Sequence, residues 1–318
     1  MQFPAPGKPP VGIVFDADLG NTIDDALALA MLFGFQGKNE ARVLSVSTTK
    51  SSLDAAIFAD VLVRFYTGEP GPFASAMPIG LSLAGNMAAT TPILDAVVGD
   101  PKYPRNIVKL NDTADPVALI RNALSAQFDQ NAVVVLTGPA TNLAGLLALP
   151  GAAALIAQKV RMLVVAADAL TMSDIPAARH LFAEWPTAIA LAPAELGDAL
   201  PFPGASIDKD FAWSEAHPLV AAYRAYRPMP YDAPALAMAA ALYAVRPQEN
   251  YLKLSDPGTV TVRGDGRWSL APAPGGRHRT LLADAAQKDR IQQIYAETAS
   301  TKPVGRPQRF RPPQQKKQ

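Results

Sequence analysis

A chain of 318 residues with 49% hydrophobic residues can bury a substantial core. Its 29 Lys and Arg against 28 Asp and Glu leave a net charge of +1, which excludes the electrostatic footprint of a nucleic-acid or anionic-membrane binder. The lack of cysteine excludes disulfides and thiol catalysis and leaves the compartment open. No run of about 20 apolar residues is long enough to span a bilayer. The Met1-Gln2-Phe3-Pro4 start lacks the basic and apolar regions of a signal peptide. The expectation is a soluble protein, cytoplasmic by default and exported only if a leader has been removed.

The first element is an apolar strand, Val11-Gly12-Ile13-Val14-Phe15, which runs into Asp16-Ala17-Asp18-Leu19-Gly20-Asn21-Thr22-Ile23-Asp24-Asp25 and then an alanine-rich helix. Strand alternation predicts Asp16 and Asp18 on one side at the carboxyl end, with Gly20 allowing a tight turn. Asp24 and Asp25 fall at a helix start, where the dipole favours negative charge. Capping accounts for one or two of these aspartates but not four. Like charge at this density is unfavourable unless a cation or donors neutralise it, and oxygen-only ligands favour a hard ion such as Ca²⁺ or Mg²⁺.

Apolar strand runs then alternate with helical patterns: 43–47 with 53–66, 132–136 with 142–148, 160–166 with 175–184, then 188–191. The prediction is an α/β fold, a mostly parallel central sheet with helices on both faces and a ligand site beyond the strand carboxyl ends. Residues 68–115 read as a long irregular connection ending at a helix start, Asp115-Pro116. A glycine-turned hairpin is predicted around Thr259–Val262 and Trp268–Leu270 as a small carboxyl-terminal addition, followed by a helix over 284–299. Residues 1–299 read as one domain. Residues 300–318, rich in Pro, Gln, Lys and Arg, read as a disordered tail. No internal repeat is present.

Two further segments carry chemistry. Leu136-Thr137-Gly138-Pro139-Ala140-Thr141-Asn142 takes a second strand into a helix. Gly138-Pro139 would leave the Thr137 carbonyl without a ladder partner, although the same residues also read as a turn capped by Thr141 or Asn142. Met229-Pro230-Tyr231-Asp232-Ala233-Pro234 introduces another alanine-rich helix, with Asp232 a candidate ligand or a simple cap. His180, His217 and His278 have no metal-ligand spacing and read as structural. Trp185, Trp213 and Trp268 read as packing residues.

The Asp-x-Asp-x-Gly-x-x-x-Asp-Asp opening, the Thr-Gly-Pro-x-Thr-Asn segment and the run from Asp232 to Pro247 together resemble the nucleoside hydrolase family over about residues 11–299. The usual opening is the shorter Asp-x-Asp-Pro-Gly-x-Asp-Asp; here Leu19 replaces the Pro and two residues are added before Asp24. The resemblance implies a calcium-dependent hydrolase that cleaves the N-glycosidic bond of nucleosides or related N-ribosides, as in purine or pyrimidine salvage. It implies Ca²⁺ on Asp18, Asp25, the Thr137 carbonyl and Asp232, with Asp18 as the base that deprotonates water. Asp24 and Asp168 would hold the sugar, and Asp16 and Asn142 would support the ligands from behind.

The chain departs from the pattern in its sugar and base half. Leu170 stands where an Asn usually binds the sugar, Lys50 where an Asn touches the ribose, and Tyr231 where many members have a histidine acid. A catalytically impaired metal-containing ribose- or nucleoside-binding protein of the same fold is therefore the alternative. A strand ending in Asp-x-Asp also suggests haloacid-dehalogenase-like phosphoryl transfer, but that chemistry wants Thr or Val where Gly20 stands. The partner implied is a small nucleoside or riboside, not nucleic acid or membrane. Base preference and oligomeric state, monomer or homo-oligomer, stay open.

Overall fold

The computed structural model describes residues 9–68, 76–84 and 89–303. Its ten strands among these residues are β1 (Val11–Ala17), β2 (Ala41–Thr48), β3 (Ile79–Leu81), β4 (Ala132–Leu136), β5 (Val160–Ala167), β6 (Ala188–Pro193), β7 (Leu252–Leu254), β8 (Gly258–Val262), β9 (Trp268–Pro272) and β10 (His278–Ala283). They form one sheet in the order β3-β2-β1-β4-β5-β6-β10-β8-β9, with β7 paired to β10. The pairings from β3 through β6 to β10 are parallel, and those of β7, β8 and β9 are antiparallel.

Parallel strands covered on both faces must be apolar on both sides. In β1, Ile13 and Phe15 belong to one core and Val14 to the other; in β4, Val133 and Val135 alternate with Val134 and Leu136 in the same way. Helices Asp24–Gly37, Leu53–Thr67, Leu236–Val245 and Lys288–Ala299 cover the first face. Helices Pro116–Ser125, Thr141–Leu147, Ala152–Lys159 and Ile175–Glu184 cover the second. Residues 236–244 are buried all round, which explains the run of alanines and leucines with no polar face. Among the described residues no single helix is long and apolar enough to cross a membrane.

Three expectations change. The connection over 68–115 contains β3, the helix Pro92–Val98 and a 3-10 turn at Leu110–Asp112. These elements are too short to show periodicity, although Thr91 caps Leu94 N–H and Pro92 opens the helix. The hairpin β8–β9 forms as expected, yet it extends the main sheet, because β10 pairs with both β6 and β8. The last helix starts at Lys288, since Asp284 caps a 3-10 turn ahead of it. Residues 304–318 of the expected tail lie outside the described residues.

Candidate active site

From β1 the chain builds the sheet outward through β2 and β3, and from β4 it builds the other way through β5 and β6. The carboxyl ends of β1 and β4 therefore flank the switch point where open α/β sheets bind ligands. A cavity of about 200 Å³ lies there, lined by Asp18, Asp24, Asp25, Thr137 and Asp168 together with apolar residues of the facing elements. A larger groove of about 720 Å³, bordered by Pro10, Ala41 and Arg42, contains none of these carboxylates.

β1 ends at Ala17, so Asp16 and Asp18 part company: Asp18 lines the cavity and Asp16 does not. Asp16 is fully buried, and its Oδ1 accepts Ser47 Oγ–H at 2.6 Å and Asn142 Nδ2–H at 2.8 Å. Its Oδ2 has no partner among the described residues. Burial pushes this carboxyl up to about 7 against those two bonds. Asp16 and Asn142 thus stand behind the site, and the Asp16 carbonyl also accepts Thr137 N–H at 2.8 Å.

Gly20, at φ +95°, turns the chain after Asp18, a conformation that suits glycine. The inserted Asn21 donates Nδ2–H to Asp18 Oδ2 at 2.6 Å, and the buried Lys50 donates Nζ–H to Asn21 Oδ1 at 2.6 Å. Lys50 hydrogen-bonds to the site through Asn21, and its charge also acts on Asp18. The Asp18 and Asp25 carboxyls bond to one another. Burial raises both, and Asp25 is raised further by the charges of Asp18 and Asp24.

Asp24 has a role that local sequence could not reveal. Its Oδ2 accepts Ala237 N–H at 2.6 Å and its Oδ1 accepts Met238 N–H at 3.3 Å. It caps the helix Leu236–Val245 from across the cavity while still lining it. Burial pushes it up to about 7, opposed by those backbone bonds. Asp168 is half-buried, its Oδ1 accepting Thr171 N–H at 2.8 Å, and its charge acts on Asp18 and Asp24.

Thr137 follows β4 and lines the cavity, its buried side chain set against the Asp25 carboxyl. A side chain at the next residue, Gly138, would place Cβ 2.3 Å from Thr49 Oγ1 and 2.7 Å from Asp18 N, so glycine is what lets the two strand ends meet.

Asp232 is not brought to this cluster. It is exposed, its Oδ1 accepts Gly204 N–H at 2.8 Å, and Pro234, Leu236 and Ala237 occupy the wall instead. Tyr231 is turned away, its hydroxyl donating to the Tyr223 carbonyl at 2.6 Å and its ring stacked on Tyr223 at 4.4 Å. Leu170 lines the cavity, as its place in the sequence suggests. Thr22, from the two-residue insertion, and Tyr226, from the end of helix Pro218–Tyr226, line it too. The insertion signalled Thr22; nothing local signalled Tyr226.

The donor set fits a hard cation in kind. Two adjoining buried carboxylates and further carboxylates on the same wall are oxygen donors in need of a positive partner. Among the described residues no three acidic, histidine or cysteine side chains come together so that they could hold a metal ion by themselves. The protein would thus supply Asp18, Asp25 and main-chain oxygen, with water or ligand completing the shell.

Solved structures share this architecture. A plant nucleoside hydrolase is similar at a TM-score of 0.69 and 18% identity, over 92% of this chain and 99% of that one. An inosine-uridine preferring nucleoside hydrolase from Bacillus anthracis is similar at 0.67 and 14% identity, over 91% and 99%. The type III effector protein XopQ, solved with adenosine diphosphate ribose, is similar at 0.68 and 13% identity, over 93% and 95%. No protein-family model and no curated protein sequence matches the chain.

Proposed function

We propose that this chain, which has the nucleoside hydrolase fold, is a calcium-dependent hydrolase of the N-glycosidic bond of nucleosides or related N-ribosides. The observation that carries this reading is one cavity at the switch point into which Asp18, Asp24, Asp25, Asp168 and Thr137 all face. Asp18, Asp25 and the Thr137 main-chain carbonyl would hold the ion. Bound there, it would acidify a water and orient sugar hydroxyls.

The chain's own groups do the rest. Asp18, oriented by Asn21, accepts the proton of a water whose oxygen adds to the anomeric carbon. The surrounding carboxylates favour the positive charge that develops on the sugar. Asp24, fixed by two backbone N–H groups, and Asp168, fixed by one, present acceptors to sugar hydroxyls from rigid positions.

The test is a panel of purine and pyrimidine ribonucleosides read by reducing-sugar release, in calcium and after chelation, beside calorimetry of calcium itself. The reading expects calcium binding and chelator-sensitive sugar release. The alternative, a riboside-binding protein without turnover, is favoured by Leu170 on the wall and Asp232 off it. It expects calorimetric binding of ribose or nucleoside with no sugar released.

A further inference from the structure

In sheet order β9 stands four strands from β5, so a flat sheet would put about 19 Å between them, at about 4.8 Å per strand. Trp268, the first residue of β9, nevertheless donates its Nε1–H at 3.0 Å to the carbonyl of Ala167, the last residue of β5. The hairpin β8–β9 therefore folds back over the carboxyl end of the sheet as an arm. Its point of departure is visible in the bonding, because β8 pairs with β10 at Gly258 and His278 alone. Beyond that pair, His278 Nδ1 accepts Val260 N–H at 2.9 Å and the Val262 carbonyl accepts Arg179 Nε–H at 2.9 Å. Side chains take over where the ladder stops, and they lay the arm along the helix Ile175–Glu184.

The arm ends at the turn 168–174, which carries Asp168 and Leu170 of the cavity wall. Within the turn, Asp168 accepts Thr171 N–H on Oδ1 at 2.8 Å and Met172 N–H on its carbonyl at 3.2 Å, and the Leu170 carbonyl accepts Ser173 N–H at 3.0 Å. Such bonds set the shape of the turn but not its place on the sheet. Its place is set by Met172, buried in the core, by Thr141 Oγ1–H bonded to Asp174 Oδ2 at 2.8 Å, and by Trp268 at Ala167. Of these, Trp268 acts at the residue that precedes Asp168. The tip of the arm closes on the same turn, since a Cβ on Gly266 would lie 3.7 Å from the Met172 carbonyl.

We infer that Trp268 is a positioning residue for the sugar-facing side of the site: its indole N–H fixes the end of β5 so that Asp168 presents its carboxylate to a sugar hydroxyl. This rests on the riboside reading above. Among the described residues no hydrogen bond joins the arm to Asp18, Asp25 or Thr137, so the arm acts on the sugar and not on the ion. A holding group moved from its place loses affinity without any change in its own chemistry.

The test is Trp268→Phe, which keeps a ring and removes the N–H. Its companion is Trp185→Phe, which removes an indole N–H bonded to Thr187 at the other end of the helix Ile175–Glu184. Calorimetry of ribose with the full-length proteins in saturating calcium is read against calorimetry of calcium itself. Amide hydrogen exchange is followed at 171–173 and at Thr137, whose N–H bonds to Asp16 between β4 and β1. Trp268→Phe should weaken ribose binding by about 3- to 10-fold, the usual net worth of one hydrogen bond. It should leave calcium affinity at the wild-type value and speed exchange at 171–173 but not at Thr137. Trp185→Phe should lower the urea midpoint and leave ribose affinity and exchange at 171–173 unchanged. Wild-type exchange at 171–173 in Trp268→Phe would overturn the inference. So would wild-type ribose affinity in that variant, or a loss that calcium affinity or Trp185→Phe shares. A wild-type protein that binds no ribose would overturn the riboside reading and with it the sugar-positioning role of Trp268, while faster exchange at 171–173 would leave standing only the arm's grip on the turn.

Discussion

The two walls of the cavity are built by opposite means. The carboxylate wall comes from the adjoining strand ends of β1, β4 and β5, and most of its residues lie within short motifs, Asp18 to Asp25 and Thr137 with Gly138, with Asp168 added after β5. The facing wall is gathered from Leu170, Ala194, Gly197, Tyr226 and Pro234, spread along the chain on loops and helix ends. The first wall is tied together by side-chain bonds, Asn21 to Asp18 and Ser47 and Asn142 to Asp16. The second presents mostly carbon. The difference teaches that charge-handling chemistry sits on the rigid part of the fold, where a strand end fixes it, while selectivity is left to segments that can change without disturbing the sheet.

The largest expected effect breaks the carboxylate wall. Asp18→Asn keeps an oxygen and a similar shape but cannot accept a proton, so hydrolysis should fall on the order of 10²-fold or more while the circular dichroism spectrum stays native. Near-normal kcat would assign proton acceptance to another group. Asp25→Ala should abolish most calcium affinity in calorimetry, because it removes one of the two adjoining carboxylates; unchanged binding would remove Asp25 from the ligand set.

Next in size is the junction that brings β1 and β4 together. Gly138→Ala places a methyl 2.3 Å from Thr49 Oγ1 and 2.7 Å from Asp18 N, so backbone must move. Overpacking of this kind costs about 1–3 kcal/mol. Because the strain falls on Asp18, calcium affinity should drop along with the urea midpoint. A variant with lowered stability and unchanged calcium affinity would show that the site tolerates the displacement.

The facing wall should respond in the other direction. A sugar hydroxyl buried beside Leu170 without a partner costs about 1–3 kcal/mol. Common ribonucleosides should accordingly stay below about 10⁵ M⁻¹s⁻¹ in kcat/KM, within the lower part of the enzyme range. Leu170→Asn should raise that figure for inosine, with part of the gain in kcat, since contacts that tighten in the transition state act there. Wild-type turnover above that value would mean the wall already offers what Leu170 lacks.

The same contrast explains what could be read in advance. The apolar alternation of β1 and β4 and the helix Ile175–Glu184 follow from local pattern, and the resemblance placed Asp16 and Asn142 behind the site without showing that they pair. Asp24 is different. Its partners, Ala237 and Met238, lie more than 200 positions away, and nothing near Asp24 distinguishes a cap of its own helix from a cap of another. Asp232 sits beside a helix start in the sequence, as a ligand would. Its carboxylate accepts Gly204 N–H instead, and Pro234 and Leu236 line the wall. Local spacing specifies which residues are near a strand end; only tertiary contacts decide which way they face.

The smallest effect titrates buried groups behind the cavity against one another. His217 precedes the helix that ends in Tyr226, is buried, and packs between Phe65, Phe211 and Trp213 at ring distances of 4.4, 5.1 and 5.1 Å. Its Nδ1 has no partner among the described residues and its Nε2 lies 3.5 Å from Tyr66 Oη. Burial pulls its pKa from 6.5 down to about 3. Between those values the unfolded chain binds a proton that the folded chain refuses, so stability falls as pH drops from 6.5 towards 3. Asp16 and Asp24 act oppositely. Raised from 3.8 to about 7, they hold protons in the folded state that the unfolded state has lost, so their contribution grows as pH drops from 7 towards 3.8. In calcium-free buffer the wild-type profile between pH 7 and 4 is therefore a sum of opposing slopes, with His278, lowered by burial, on the side of His217, and Asp18 and Asp25, raised by burial, on the side of Asp16 and Asp24. His217→Phe removes one of them while keeping an aromatic ring of similar size. Its urea midpoint should rise on acidification relative to wild type over that interval, whatever its absolute stability at pH 7. Parallel profiles for the two proteins would show that His217 takes up its proton without unfolding, and that the aromatic packing around it is open to water where the structure closes it.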